Sequence, residues 1–251
     1  DELVFVTGRN KRSIEDHFDK VYELEVDLKS KGKHALLASV RDVLPENVSC
    51  VYTRQAEALG LGHAILCARS VIGDNPFAVI LADDLIRAEP NVLQQMMRVY
   101  ERHGCSVIGV QTVAPSETGS YGIVSGERLD SGLYKIKAIV EKPAPDKAPS
   151  TLAVVGRYIL TPRIFAFLQS VQAGAGGEIQ LTDGIAALLE HEQVLAYEFT
   201  GRRYDCGSKL GYLQATVEYA LVHPEVSGAF RTYFNEIARS LDVPGASERK
   251  R

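Results

Sequence analysis

Through its first 113 residues the chain alternates short apolar runs with amphipathic stretches, and this rhythm limits the fold more than any other feature. Leu3-Val4-Phe5-Val6, ending at Thr7-Gly8, reads as a buried strand. Ser13 is placed to cap a helix with Ile14, His17, Phe18, Val21 and Tyr22 on one side, and a second helix covers residues 34–43, stopped before Pro45. Residues 48–52 form a second strand, and Gly60-Leu61-Gly62 turns into a helix carrying Ala64, Ile65, Ala68 and Val71. Residues 77–82 are a third strand, bounded by Asn75-Pro76 and Asp83-Asp84. Pro90 opens a helix with Val92, Leu93, Met96, Val99 and Tyr100 that Gly104 stops, before a fourth strand at 106–113. Strand-helix alternation of this kind predicts an α/β protein with a mixed, mostly parallel sheet and helices on both faces.

After residue 113 the rhythm changes. Strands are expected at 121–124, 133–141, 153–160 and 196–200, with a Pro/Ala-rich surface loop at 143–149. Helices are expected at 162–170, 183–191, 208–222 and 229–240. Ser208 is placed to cap the third of these, which should bury Leu210, Leu213 and Val217, with Tyr212 and Tyr219 in the core or an interface. Gly174 to Gly177 followed by Glu178-Ile179-Gln180-Leu181-Thr182-Asp183 reads either as a lid or as a surface loop with a Thr182/Asp183 helix cap. Glu248-Arg249-Lys250-Arg251 reads as a solvated end.

Composition removes whole classes of function. Apolar residues make up 45% and the net charge is only −4, so the chain is not disordered, and no apolar run is long enough to span a membrane. The negative balance argues against a nucleic-acid partner. Cys50, Cys67, Cys105 and Cys206 form no C-x-x-C pair, which argues against structural zinc and suits a reducing, cytoplasmic setting. There is no G-x-S-x-G elbow and no histidine at nucleophile–base spacing, so covalent hydrolase chemistry has no support.

Four features can carry chemistry. Asp83-Asp84 closes a buried strand, where ligands of open α/β sheets bind; two acids there suit Mg²⁺ together with substrate phosphates, or simply a solvated turn. Asp205 stands at a strand-to-helix junction, as a ligand or as an N-cap. Glu141-Lys142-Pro143 ends an alternating strand, so the carboxylate and the ammonium should point to opposite faces, with Lys142 held extended by the proline. A Lys there can meet a phosphate and a Glu sugar hydroxyls, or the two are an exposed charge pair. Gln55, with the turn at Gly60 and Gly62, can approach and pair with a base edge, or only start a helix; the spacing is neither a P-loop nor G-x-G-x-x-G.

Eight segments in order extend the argument: Phe5 to Arg12, Arg54 to Ala64, Leu81 to Asp84, Tyr121 to Val124, Val140 to Pro143, Val155 to Tyr158, Glu178 to Asp183 and Tyr204 to Gly207. Over nearly the whole chain this set resembles the bacterial UTP–glucose-1-phosphate uridylyltransferases. The resemblance implies a Rossmann-like sheet of the nucleotide-diphospho-sugar transferase type. It implies one domain, with residues 1–113 serving the nucleotide, 114–205 the sugar, and 206–251 forming C-terminal helices. It implies Mg²⁺ held by Asp83 and Asp205, uracil bound at Gln55 and Gly60, and glucose 1-phosphate bound at Gly122, Glu141 and Lys142, with Glu178 also facing the sugar. Asp83 and Lys142 would be the catalytic pair. UTP and glucose 1-phosphate would be the substrates, and the assembly a homo-oligomer, dimer or tetramer. Lys209 lies near the second acid with no role assigned. The family also opens with a strand and a loop of the type G-x-G-T-R…P-K, expected to precede Asp1 in the natural protein. Two alternatives stay open: transfer of another base or sugar, such as thymidylyl transfer, and a non-catalytic nucleotide-sugar binder.

Overall fold

Six strands form the main sheet of a computed structural model describing residues 1–174 and 177–241. Ala175 and Gly176 and the tail 242–251 lie outside the described residues, and with them the lid and solvated-end readings. The strands run in the order β3 (Phe77–Ile80), β8 (Leu152–Leu160), β5 (Ser106–Thr112), β9 (Val194–Glu198), β7 (Leu133–Glu141) and β6 (Gly122–Asp130). Side-chain alternation sends Ile108, Val110, Val154, Tyr158 and Leu160 to one face and Val107, Val155 and Ile159 to the other. Helices α7 (Ile164–Ser170) and α8 (Leu181–Leu189) cover the first face with Ile164, Leu168, Ile185 and Leu188, all fully buried. Each such side chain contributes roughly 1.5–3 kcal/mol relative to exposure. Helix α6 (Val92–His103) covers the second face through Val92 and Met96; Asn91 caps it by accepting from Gln94 N–H, and Gly104 ends it in the left-handed conformation. Burial on both faces explains why the central strands β5 and β8 read as largely apolar runs.

The mixed sheet with helices on both faces is as expected, but its strand directions correct the expectation of mostly parallel pairing. Within the six strands β5–β9 is parallel, whereas β3–β8, β8–β5, β9–β7 and β7–β6 are antiparallel. The tight Ser131-Gly132 turn between β6 and β7 permits only an antiparallel hairpin. Two smaller ribbons complete the strands: β1 (Glu2–Thr7) parallel to β2 (Ser49–Arg54), and β4 (Asp84–Arg87) antiparallel to β10 (Arg202–Asp205).

Helices α1 (Arg12–Phe18), α2 (Tyr22–Ser30), α3 (His34–Arg41), α4 (Leu61–Cys67) and α5 (Arg69–Ile72) fill the connections of the first half. Ser13 lies inside α1 rather than capping it. Ser208 caps α9 (Lys209–Ala220) as expected, its Oγ accepting from Gly211 N–H at 3.0 Å. The expected burial of Leu210 and Leu213 is corrected: they are 67% and 59% exposed, and α9 packs through Gly211 and Ala215. The carbonyl of Asp205 lies so close to Gly211 that only a side-chain-free position fits there, which turns the bulky residues outward. Helix α10 (Ser227–Leu241) ends the described chain. No helix among the described residues is long and apolar enough to cross a membrane.

Candidate active site

The strand period separates the two adjacent acids. Asp83 lies exposed in the turn between β3 and β4, whereas Asp84 is the first residue of β4 and is buried. Asp84 Oδ1 accepts from Arg203 Nε at 2.5 Å and Oδ2 from Gly156 N–H at 2.6 Å. Both its oxygens are engaged, which corrects the reading of the two acids as a joint cation site and leaves Asp83 to face solvent.

Pairing of β4 with β10 sets Asp205 opposite Asp84, and Cys206 N–H donates to the Asp83 carbonyl at 2.8 Å. The two distant acids therefore meet. A Cβ placed on Gly207 would stand 3.1 Å from Asp205 Oδ1 and 3.3 Å from Asp83 Oδ2, so the two carboxylates flank one small space that only glycine leaves open. Among the described residues no group of three or more His, Cys, Asp or Glu could hold a metal. Two carboxylates with room for further oxygens suit Mg²⁺, which completes its shell with water and substrate phosphates.

The sugar-side residues gather across the same cleft, a cavity of about 320 Å³ lined by Asp83, Gly122, Glu141, Lys142, Arg203 and Asp205 among others. Gly122 pairs with Glu141 in the β6–β7 register, and Glu141 Oε2 accepts from Thr182 Oγ1 at 3.1 Å. Lys142 corrects the expectation of an extended residue pointing away from Glu141. Its φ is 43°, its N–H donates to the Tyr121 carbonyl at 3.0 Å, and its Nζ lies 3.6 Å from Glu141 Oε1. The strand's alternation stops at Glu141, and a left-handed residue swings the ammonium back over the cleft. Tyr158 lies beneath; burial, with the charges of Glu141 and Asp84, raises its phenol pKa beyond the ordinary range, so it stays protonated.

Gln55 and Gly60 meet each other rather than the acids. Gln55 Nε2 donates to the Gly60 carbonyl at 3.0 Å and to His63 Nδ1 at 3.1 Å. Gly60 has φ 90°, and a Cβ there would stand 2.8 Å from the Ile179 carbonyl. That carbonyl accepts from Gly62 N–H while Ile179 N–H donates to Leu59, both at 2.8 Å. Gln55, Gly60 and Glu178 do not line the cleft, but Leu61 and Gln180 beside them do. Glu178 is exposed and accepts from Gln180 Nε2 at 2.7 Å. Asp183 is not the helix cap: Gln180 holds that position, and Asp183 sits in the first turn, where its charge complements the helix N-terminus.

Residue-by-residue reading offers Thr182 only as part of a helix cap and assigns no role to Tyr121, Gln180 or Arg203, yet all four line the cleft. For Arg203 a signal exists: it stands two residues before Asp205 on one strand and so shares its face. Burial disfavours its charge, but the hydrogen bonds it donates to Tyr121 and Asp84 outweigh that and raise its pKa.

Comparison with known proteins gives a consistent picture. A family model described as nucleotidyl transferase matches residues 1–221. The chain is 46% identical over 237 residues to a UTP–glucose-1-phosphate uridylyltransferase of Staphylococcus epidermidis, covering 94% of this chain and 82% of that one. A UTP-bound UGPase from Acinetobacter baumannii superposes with a TM-score of 0.85 at 40% identity, covering 94% of this chain and 82% of that one. A UDP-glucose pyrophosphorylase complexed with UDP-glucose superposes with a TM-score of 0.77 at 45% identity, covering 87% of this chain and 80% of that one.

Proposed function

Since this chain belongs to the nucleotidyl transferase family, among its UTP–glucose-1-phosphate uridylyltransferases, we propose that it joins UTP and glucose 1-phosphate into UDP-glucose with release of pyrophosphate. The observation that carries this reading is the convergence of Asp83 and Asp205 on Gly207, across one cleft from Glu141 and Lys142. A phosphate oxygen of the sugar attacks the α-phosphorus; a new P–O bond forms, the bond to the β-phosphate bridging oxygen breaks, and pyrophosphate leaves with that electron pair. No protein nucleophile is needed, so the protein contributes position and charge.

The residues divide that work. Lys142 presents a point charge to the sugar phosphate, and Glu141, steadied by Thr182, accepts from sugar hydroxyls. Gln55 has both amide hydrogens directed to Gly60 and His63, which leaves Oε1 to accept the N3–H that uracil offers and cytosine lacks. Asp83 and Asp205 would hold Mg²⁺, which when bound neutralises charge on the phosphates. Residues 1–113 serve the nucleotide, 114–205 the sugar, and the C-terminal helices follow. The four cysteines are unpaired, which suits a reducing cytoplasm.

With Mg²⁺ present, the protein is expected to release pyrophosphate from UTP and glucose 1-phosphate, and faster than from dTTP in competition. Absence of release while UDP-glucose still binds would favour a non-catalytic binder, and a dTTP preference would move the assignment to thymidylyl transfer.

Apolar side chains on α9 and α10 support a homo-oligomer, dimer or tetramer: Leu210, Tyr212 and Leu213 are exposed on one helix, Tyr233, Phe234 and Ile237 on the other. Light scattering is expected to give at least twice the 27.5 kDa chain mass; a particle of one chain mass would refute this.

A further inference from the structure

Arg203 bonds to more of the cleft than an ion pair requires. Its Nε donates to Asp84 Oδ1 at 2.5 Å, its Nη1 to the Tyr121 hydroxyl at 3.3 Å, and its Nη2 stands 4.0 Å from Asp205 Oδ2. Its guanidinium carbon lies 5.1 Å from the centroid of the Tyr121 ring. Asp84 is in turn fixed by Gly156 N–H, and Arg157 closes the turn from behind by donating to the carbonyls of Leu81 at 3.1 Å, Gly156 at 2.7 Å and Asp84 at 2.6 Å. The turn that carries Asp83 is thereby tied through Asp84 and Arg203 to the strand that carries Asp205. The same guanidinium reaches Tyr121, whose carbonyl holds the N–H of Lys142.

Buried ion pairs are poor evidence for stability, because well-packed apolar groups of the same size often serve as well. What an apolar pair could not do is hold three partners from different elements in one planar fork. We propose that Arg203, seated on Asp84, is a positioning residue that sets the separation of the Asp83 and Asp205 carboxylates and, through Tyr121, the aim of Lys142. This rests on the reading of Asp83 and Asp205 as the metal-holding pair.

The test measures Mn²⁺ binding by paramagnetic resonance with UDP-glucose present and no turnover, alongside steady-state kinetics and thermal melting of the full-length protein. Arg203→Met is expected to weaken Mn²⁺ binding about tenfold, the lower range for residues that orient metal ligands, and to raise KM for glucose 1-phosphate. If that variant does not fold, Arg203→Lys is read in its place: it keeps the charge but cannot span Asp84 and Tyr121, and the same two changes are expected. Tyr121→Phe is expected to raise KM for glucose 1-phosphate and leave Mn²⁺ affinity unchanged. The proposal is overturned if the folded Arg203 variant keeps native Mn²⁺ affinity and native KM, whatever its melting temperature. Asp83→Asn and Asp205→Asn separate the two levels. If they leave Mn²⁺ binding intact, the metal-pair reading has failed; if they abolish it while the Arg203 variant keeps native Mn²⁺ affinity and native KM, only the positioning role has failed.

Discussion

Replacing Asp83 by Asn is expected to lower kcat/KM for UDP-glucose formation by about a thousandfold, or about 4 kcal/mol of transition-state stabilisation. Asp205→Asn does the same, and the double variant is little worse than either alone, since two groups that act as one unit do not add. The melting temperature should barely move in the single variants. Asp83 is exposed, and Asp205 is half-exposed and accepts a single bond from Gly207 N–H at 3.0 Å, which an amide oxygen can keep. Removing one of two facing carboxylates even relieves some like-charge repulsion. The neighbouring residue provides the contrast. Asp84→Asn must destabilise, because Arg203 and Gly156 both donate to its carboxylate and an amide offers only one accepting atom. Pyrophosphate release and thermal melts of the three variants check the pattern. A loss below tenfold at Asp83 would remove the metal site from the account of this reaction.

That contrast also marks how far the chain could be read from its sequence. Apolar runs such as Val107 to Val110 show themselves because both faces of the sheet are covered there, and Gly104 and Ser208 bound their helices by local chemistry that needs no partner. What stays hidden depends on contacts between distant segments. Strand β4 is four residues with charge at both ends, and only its pairing with β10 makes it a strand and Asp84 an interior residue. Leu210 and Leu213 look like a buried stripe until the approach of the Asp205 carbonyl to Gly211 decides which side of α9 packs. The same holds at the site. Asp83, Asp205, Gly122, Glu141 and Lys142 can be singled out in the sequence and do line one cleft, whereas the Arg203 fork exists only once two strand ends lie side by side.

Lys142 yields the second large effect, and its backbone separates two reasons for having lysine there. As a non-glycine residue at φ 43° it sits in a region that costs an ordinary side chain about 1 kcal/mol, held by the bond from its N–H to Tyr121. The side chain is 59% exposed and its 3.6 Å contact with Glu141 is partly screened, so the pair adds little to stability. The lysine is therefore expected to serve ligand rather than fold. Lys142→Ala and Lys142→Gly should both lower kcat/KM for glucose 1-phosphate about a hundredfold, the loss of one strong charge-assisted contact to a phosphate, while KM for UTP changes far less. In stability the two should part: glycine accepts the left-handed conformation without penalty, so Lys142→Gly melts above Lys142→Ala although both have lost the ammonium. Lys142→Arg should recover part of the activity, since it restores the cation without matching the reach of the lysine. Equal losses for UTP and glucose 1-phosphate would place the ammonium on the nucleotide instead. Equal melting temperatures for the Ala and Gly variants would mean that the turn at Tyr121, not the residue at 142, bears the backbone cost.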